Sequence, residues 1–286
     1  MPAVTVLLPT YEASATIELA VRSILRQSFT DFELIVMDDG SRDDTALRVS
    51  AMVDPRIRLI RGEHNEGLAT RLNQGIEAAR GVCIARMDAD DVAYPERLER
   101  QHRFMAEHPE VDLLGSRAIV FGSSGEAVGL LPFLSTHEGL CARPWNGIPL
   151  AHPTWFGRTA WFRRFRYAIP EFVRAEDQEL LLRASASSRY ACLPEVLLGY
   201  RRTKPSARRV ARASQFHAQW RYALLHRRWR LAAMAALVWA GKRGIDLVSS
   251  LPGPGAFHPG GGREPVSAAE VSRWMDLWQS LQEVGP

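Results

Sequence analysis

The chain has 286 residues, 46% of them apolar and 24% charged, enough to bury a sizeable core and too apolar for a disordered chain. No run reaches the roughly 18 apolar residues that a membrane span needs, and Met1-Pro2-Ala3-Val4-Thr5 has neither the basic start nor the apolar stretch of a signal peptide, so a cytoplasmic protein is expected. The net charge of +4 conceals an asymmetry: twelve Arg and Lys and no acidic residue lie between Glu195 and Asp246, leaving 24 basic residues against 32 acidic ones elsewhere.

In chain order, Val4-Thr5-Val6-Leu7-Leu8 reads as a buried strand ending at Pro9. Ala15 to Gln27 has helical spacing, with Ile17, Val21, Ile24 and Leu25 as its apolar stripe. Phe32 to Met37 is a second strand that ends at Asp38-Asp39-Gly40-Ser41, and a helix from about Asp43 to Met52 follows with Ser41 as its expected N-cap. Ile57 to Ile60 is a short strand, and Gly67 to Ala79 a helix closed by Gly81. Val82-Cys83-Ile84-Ala85 is a further strand, and it runs into Asp88-Ala89-Asp90-Asp91 ahead of a helix beginning near Pro95. Such alternation predicts a mostly parallel sheet with helices on both faces.

The middle third is less regular. Val111 to Val120 reads as strand, Gly122 to Gly129 as a hairpin-like turn, Ala175 to Ala186 as helix, and Tyr190 to Leu193 and Val196 to Tyr200 as two short strands. From Pro205 the composition shifts to Arg, Ala, Trp and Leu. A Pro/Gly-rich linker, Leu251 to Gly262, precedes an amphipathic helix from Ser267 to Leu281. Cys83, Cys141 and Cys192 are odd in number, far apart and without metal-ligand spacing, which fits a reducing compartment.

Carboxylates as crowded as Asp88, Asp90 and Asp91 repel one another, and a hard divalent ion is the natural partner to neutralise them. An exposed acidic turn before a helix accounts equally for the same four residues taken alone. Ligands of open α/β sheets bind beyond the carboxyl ends of the strands. The cluster and the Asp38-Asp39 pair therefore stand where a nucleotide-diphosphate and its metal would lie.

The flanking sequence breaks that tie. Val4 to Glu12, Ser23-Ile24-Leu25-Arg26-Gln27-Ser28, Asp38-Asp39-Gly40-Ser41-Arg42-Asp43, Gly67-Leu68-Ala69, Asn73-Gln74-Gly75, Ala79-Arg80-Gly81 and Met87 to Asp91 follow one another in an order that resembles family 2 glycosyltransferases. His152-Pro153-Thr154, Ala175 to Leu180 and Leu193 to Arg201 resemble the acceptor half and closing segment of the same family, and the resemblance covers about residues 3 to 203. It implies a GT-A fold, an α/β Rossmann-like sheet flanked by helices. Residues 1–100 would form the nucleotide-sugar-binding half, 101–204 the acceptor-binding half, and 205–286 a basic amphipathic helical extension.

The resemblance also implies roles. Asp90 would hold Mn2+ or Mg2+, and Asp88 would lie near the ribose, while Asp91 either backs the metal ligands or caps the next helix. Pro9, Thr10, Tyr11 and Glu12 would line the nucleotide, Asp39 would read the base edge, and Arg71 would lie beside the base. Ordinary loop residues, an Asx turn at Asp39 and a solvated helix charge at Arg71 are the plainer alternatives. Asp177, next to Glu176, matches the catalytic base. His152 either lines the acceptor pocket or is a buried, hydrogen-bonded histidine. Arg201 either meets the diphosphate or opens the basic tail. The family often carries a His shortly after this Tyr-Arg pair, whereas here Arg202-Thr203-Lys204 follows, so no further ligand is expected from that segment.

The implied activity is metal-dependent, inverting transfer of a sugar, most simply from a UDP-sugar, to a hydroxyl of a glycan or lipid-linked acceptor in bacterial surface polysaccharide assembly. A catalytically silent nucleotide-sugar-binding scaffold of the same fold is the rival. Residues 205–250 suit either an anionic membrane, as a peripheral protein on the cytoplasmic face of the inner membrane, or a helical pair packed on the catalytic domain. Nucleic acid is not expected, since no groove-reading motif or RNA module is present.

Overall fold

The computed structural model describes residues 1–169, 175–202, 216–217, 219–225, 227–249 and 264–283. β1 (Val4–Thr10) is buried at every position, which is why it reads as an unbroken apolar run. It lies between β2 (Phe32–Asp38) and β4 (Cys83–Arg86), parallel to both, and β3 (Ile57–Arg61) adds parallel to β2. Thr10 pairs with Asp38 and Leu7 with Arg86, so the acidic segments after β2 and β4 leave the sheet at one carboxyl edge.

Side chains alternate across this sheet. Val4, Val6 and Leu8 pack with Ile17, Val21 and Ile24 of α1 (Ile17–Leu25), whereas Leu7 and Met37 pack with Leu72 and Ile76 of α3 (Leu68–Ala78) on the other face. Gly81 lets the chain pass close to β1: a Cβ there would lie 2.4 Å from the Thr5 amide nitrogen. α2 (Thr45–Ser50) begins later than expected, and Ser41 is not its cap. The Ser41 hydroxyl instead accepts from the Glu12 N–H at 2.9 Å, tying the loops after β1 and β2 together, and Asp43 Oδ1 accepts from the Thr45 N–H at 3.0 Å.

The sheet then turns mixed. β8 (Phe156–Arg158) runs antiparallel between β4 and β6 (Leu113–Phe121), β9 (Tyr190–Arg201) runs parallel to β6, β5 (Val92–Ala93) closes the far edge and β7 (Ala127–Leu130) pairs with β6 as a hairpin. The order is β3-β2-β1-β4-β8-β6-β9-β5. Taken together, the pairings run six of these nine strands in the same direction, so the mostly parallel expectation holds. The two strands expected from Tyr190 to Tyr200 are one. Its register against β6 shifts where Pro194 and Glu195 stand exposed between Leu193 and Val196, a bulge at the residue that has no N–H to give.

α4 (Arg97–Glu107), α5 (His137–Cys141), α6 (Thr159–Arg164) and α7 (Glu176–Ala184) cover the remaining sheet and the cleft wall. Beyond β9 come helical residues 219–225, α8 (Trp229–Ser249) and α9 (Ala268–Gln282), and the expected linker lies outside the described residues. α9 starts as its sequence indicates, with the Ser267 hydroxyl accepting from the Glu270 N–H at 3.2 Å. It returns to the sheet. Trp274 is fully buried against Tyr94, Phe121 and Trp278, and its Nε1 donates to the Gly125 carbonyl at 2.6 Å. Gly199 makes room for it, since a Cβ there would meet the indole at 2.3 Å. No helix among the described residues is long and apolar enough to cross a membrane.

Replacing Trp274 by Ala removes this buried ring and orphans the Gly125 carbonyl. The expected loss of stability is about 3–5 kcal/mol, measured as a lower denaturation midpoint in urea.

Candidate active site

Asp88, Asp90 and Asp91 follow β4 at the carboxyl edge of the sheet, and one carboxylate oxygen from each lies within 4.8 Å of the others. Three arginines hold this cluster. Arg86, the buried last residue of β4, places Nη2 2.5 Å from Asp88 Oδ1. Arg97, buried on α4, donates from Nη2 to the Arg86 carbonyl at 2.6 Å. The Arg201 N–H donates to Asp91 Oδ1 at 2.8 Å, and its Nε to the Asp90 carbonyl at 2.7 Å. Asp91 thus ties β9 to the cluster and caps no helix, since α4 begins at Arg97 behind Glu96. The Arg201 guanidinium lies 4.7 Å over the Phe121 ring, which itself packs on Trp274, so α9 braces the cluster through two aromatic layers.

The electrostatics follow from burial. Removal from water, with the Asp88 charge adding to it, pushes the Asp90 carboxyl up to about 6, and the same two causes and Asp90 push Asp91 well above the ordinary carboxylate range. Asp91 Oδ2 is buried without a partner, as are Nε and Nη1 of Arg86. Converging carboxylates, one with an orphaned buried oxygen, match the hard oxygen donor set of Mg2+ or Mn2+. The residues fit a divalent ion.

Asp88 and Arg86 line a cleft of about 1160 Å³ whose other wall carries Glu176, Asp177, Gln178 and His152. Glu176 and Asp177 open α7 directly after Ala175, whose φ of 56° is left-handed for a residue with a Cβ. Burial, then the Asp177 charge, pushes Glu176 up to about 7; burial also raises Asp177, against hydrogen bonds from Gln178. His152 is the buried, hydrogen-bonded histidine, and it also lines the cleft. Its Nε2 meets the Tyr167 hydroxyl at 2.7 Å, its Nδ1 lies 4.0 Å from Glu176, and burial with the Arg86 charge keeps the ring neutral. Asn73 fixes Tyr167 in turn, exchanging Nδ2 to carbonyl at 2.9 Å and Oδ1 from N–H at 3.0 Å.

A smaller pocket of about 250 Å³ abuts this cleft at Leu68 and is lined by Pro9, Thr10, Tyr11, Asp39 and Arg71. Asp39 and Arg71 are each other's partners. Asp39 accepts from the Glu66 and Gly67 N–H groups at 2.8 Å each and pairs with Arg71 Nε at 2.7 Å, while Arg71 also donates to the His64 carbonyl at 2.7 Å. Both are buried, so Arg71 is no solvated helix charge. Glu12 is exposed at a φ of 49° beside the pocket loop. Sequence reasoning passed over Arg86 and Tyr167. A charged residue closing an apolar strand was the available signal for Arg86, and Tyr167 has none in its irregular surroundings.

Glycosyl transferase family 2 is the family whose pattern matches, over residues 5–166, more than half of the chain, and the chain belongs to that family. It is 34% identical over 188 residues to a protein of Bacillus subtilis (strain 168) carrying the glycosyltransferase name EpsE, covering 64% of this chain and 66% of that one. It is 33% identical over 121 residues to an Escherichia coli protein, WfgD, named as a UDP-Glc:alpha-D-GlcNAc-diphosphoundecaprenol beta-1,3-glucosyltransferase, covering 42% and 48%. The chain thus spans two thirds or less of these relatives. Among solved structures, S. aureus TarS 1-349 with UDP-GlcNAc superposes with a TM-score of 0.67 at 20% identity, covering 99% of this chain and 81% of that one, which shows the GT-A fold.

Two outcomes follow from the geometry. Asp39→Ala removes the buried carboxylate that meets Arg71 Nε and the Glu66 and Gly67 N–H groups, and should cost about 3–5 kcal/mol in chemical denaturation. Glu176, with its folded pKa raised from 4.5 to about 7, keeps a proton that the unfolded chain releases, so stability falls as pH rises through that window. Glu176→Gln removes the penalty and should exceed the parent by about 1–3 kcal/mol at pH 8 while matching it below pH 4.

Proposed function

We propose that this chain is a metal-dependent, inverting glycosyltransferase that moves a sugar from a nucleotide-diphosphate donor to a hydroxyl acceptor. One observation carries the reading: Asp88 of the arginine-held acidic cluster and the Glu176–Asp177 pair line the same cleft, which adjoins the pocket at the end of β1. Pro9, Thr10, Tyr11 and the Asp39–Arg71 pair would shape the nucleoside pocket, and Asp88 would reach the ribose. Asp88, Asp90 and Asp91 would hold Mn2+ or Mg2+, which when bound stabilises the charge that grows on the leaving diphosphate.

Asp177 acts as the base. Its burial raises its affinity for the acceptor hydroxyl proton, and Gln178 Nε2, 3.3 Å from Asp177 Oδ2, steers it. Glu176, protonated near neutrality, spares Asp177 a second adjacent charge. A single base on the acceptor side implies direct displacement with inversion and no covalent enzyme intermediate. Arg201 anchors the Asp90 carbonyl and serves the diphosphate side indirectly. A UDP-sugar donor and a lipid-linked saccharide acceptor are supported by the named activity of WfgD and by the UDP-GlcNAc complex of TarS, and surface polysaccharide assembly would be the setting. Such an acceptor would place the protein at the cytoplasmic face of a membrane.

The test is release of nucleoside diphosphate from UDP-, GDP- and dTDP-sugars with Mn2+ or Mg2+. One donor should be consumed, with the activity abolished by chelator and by Asp90→Ala. Asp177→Asn, with an acceptor supplied, should lower the rate by roughly 10²–10⁴-fold at unchanged donor affinity. Tight nucleotide binding with no release, even with lipid-linked acceptor present, would instead favour a silent binding protein.

A further inference from the structure

Helical residues 219–225 and α8 form a pair beside the acceptor end of the cleft. Their inner faces are settled. Tyr222, Ala223, Leu231 and Ala232 join the core, Phe216 stacks on Trp239 at 4.9 Å, and Gln219 Nε2 donates to the Pro144 carbonyl at 3.2 Å. A surface helix packed this way carries polar groups on its outer side. Here the outer side is apolar too: Leu225 is 66% exposed, Trp229 63% and Leu237 68%, with Trp220, Leu224 and Met234 also exposed. From Trp229 to Gly241 the single charged residue is Arg230. Charge gathers at the corner between the helices, where Arg227, Arg228, Trp229 and Arg230 are all exposed, and no acidic residue lies anywhere from 196 to 245.

We infer that this outward face docks on an anionic lipid bilayer. Tryptophan and leucine enter the headgroup boundary while the arginines reach lipid phosphates, the arrangement that holds a helix in the plane of the interface. A second copy meeting the same patch would set arginine against arginine, and a nucleic acid would leave the apolar stripe in water. The pair rests on Pro144–Asn146, and Arg143, Asn146 and Gly147 line the cleft, so the bilayer borders the acceptor entrance. The wall there continues through Leu131, Pro132, Phe133 and Leu134, an apolar path for the lipid part of an acceptor. Only this last point rests on the transferase reading, since bilayer binding is measured without catalysis.

The experiment is flotation of the full chain with vesicles of phosphatidylcholine, alone or with one third phosphatidylglycerol. Binding to the anionic vesicles is expected, at least ten-fold above neutral ones and falling with salt. Arg227→Gln with Arg230→Gln should weaken partitioning about 25-fold, at roughly five-fold per arginine. Leu225→Ser with Trp229→Ser and Leu237→Ser should abolish it, with circular dichroism and donor hydrolysis unchanged. Protein that stays below the vesicles overturns the inference. So does a patch-dependent dimer in sizing chromatography, or binding that a polynucleotide competes away but the apolar variants do not affect. Vesicle binding in a protein that consumes no donor even with lipid-linked acceptor present would uphold the docking surface and reject the transferase reading.

Discussion

Like charges at close range set the terms for this molecule. Three carboxylates with oxygens within 4.8 Å of one another, two of them withdrawn from water, resist ionising together. Arg86, Arg97 and Arg201 hold the cluster at fixed geometry without neutralising it, because among the described residues only Asp88 receives a direct guanidinium contact. Arg201 meets Asp90 at its carbonyl and Asp91 at Oδ1, which leaves Asp91 Oδ2 buried with no hydrogen-bond partner among the described residues. A divalent ion would relieve this repulsion most directly, and the frame that would hold it is already set by folding.

The opposite wall of the cleft uses burial the other way. Glu176 and Asp177 compete for charge, and burial raises the pKa of both. Asn73, Tyr167 and His152 form a file of contacts leading towards Glu176 from α3, which packs on β1 and β2. The two halves of the cleft therefore share a rigid support.

Much of this was legible in the sequence because it is local. β1, β2 and β4 announce themselves as apolar runs, each ending in residues whose chemistry belongs to a strand end, and Asp88, Asp177 and His152 line one cleft, with Asp90 beside Asp88. What escaped is non-local. β5 and β8 have two and three residues, too short for periodicity, and exist because β9 and β4 are there to pair with them. Asp39 and Arg71 read singly as ligand contacts, yet 32 residues apart they form one buried pair that shapes the pocket. The bulge at Pro194 looked like a break between strands. Ser41 looked like a cap because the Glu12 N–H that claims it comes from another loop.

The return of α9 has a consequence for how the site comes into being during synthesis. Tyr94 and Phe121 are made long before Trp274, and until that indole arrives the far face of β5, β6 and β9 is an open apolar surface. Contacts of such sequence separation form late and slow folding, and a nascent chain carrying everything from β1 to β9 still lacks the brace under Arg201. A chain released before α9 would carry that apolar face uncovered, the condition in which partly folded chains associate.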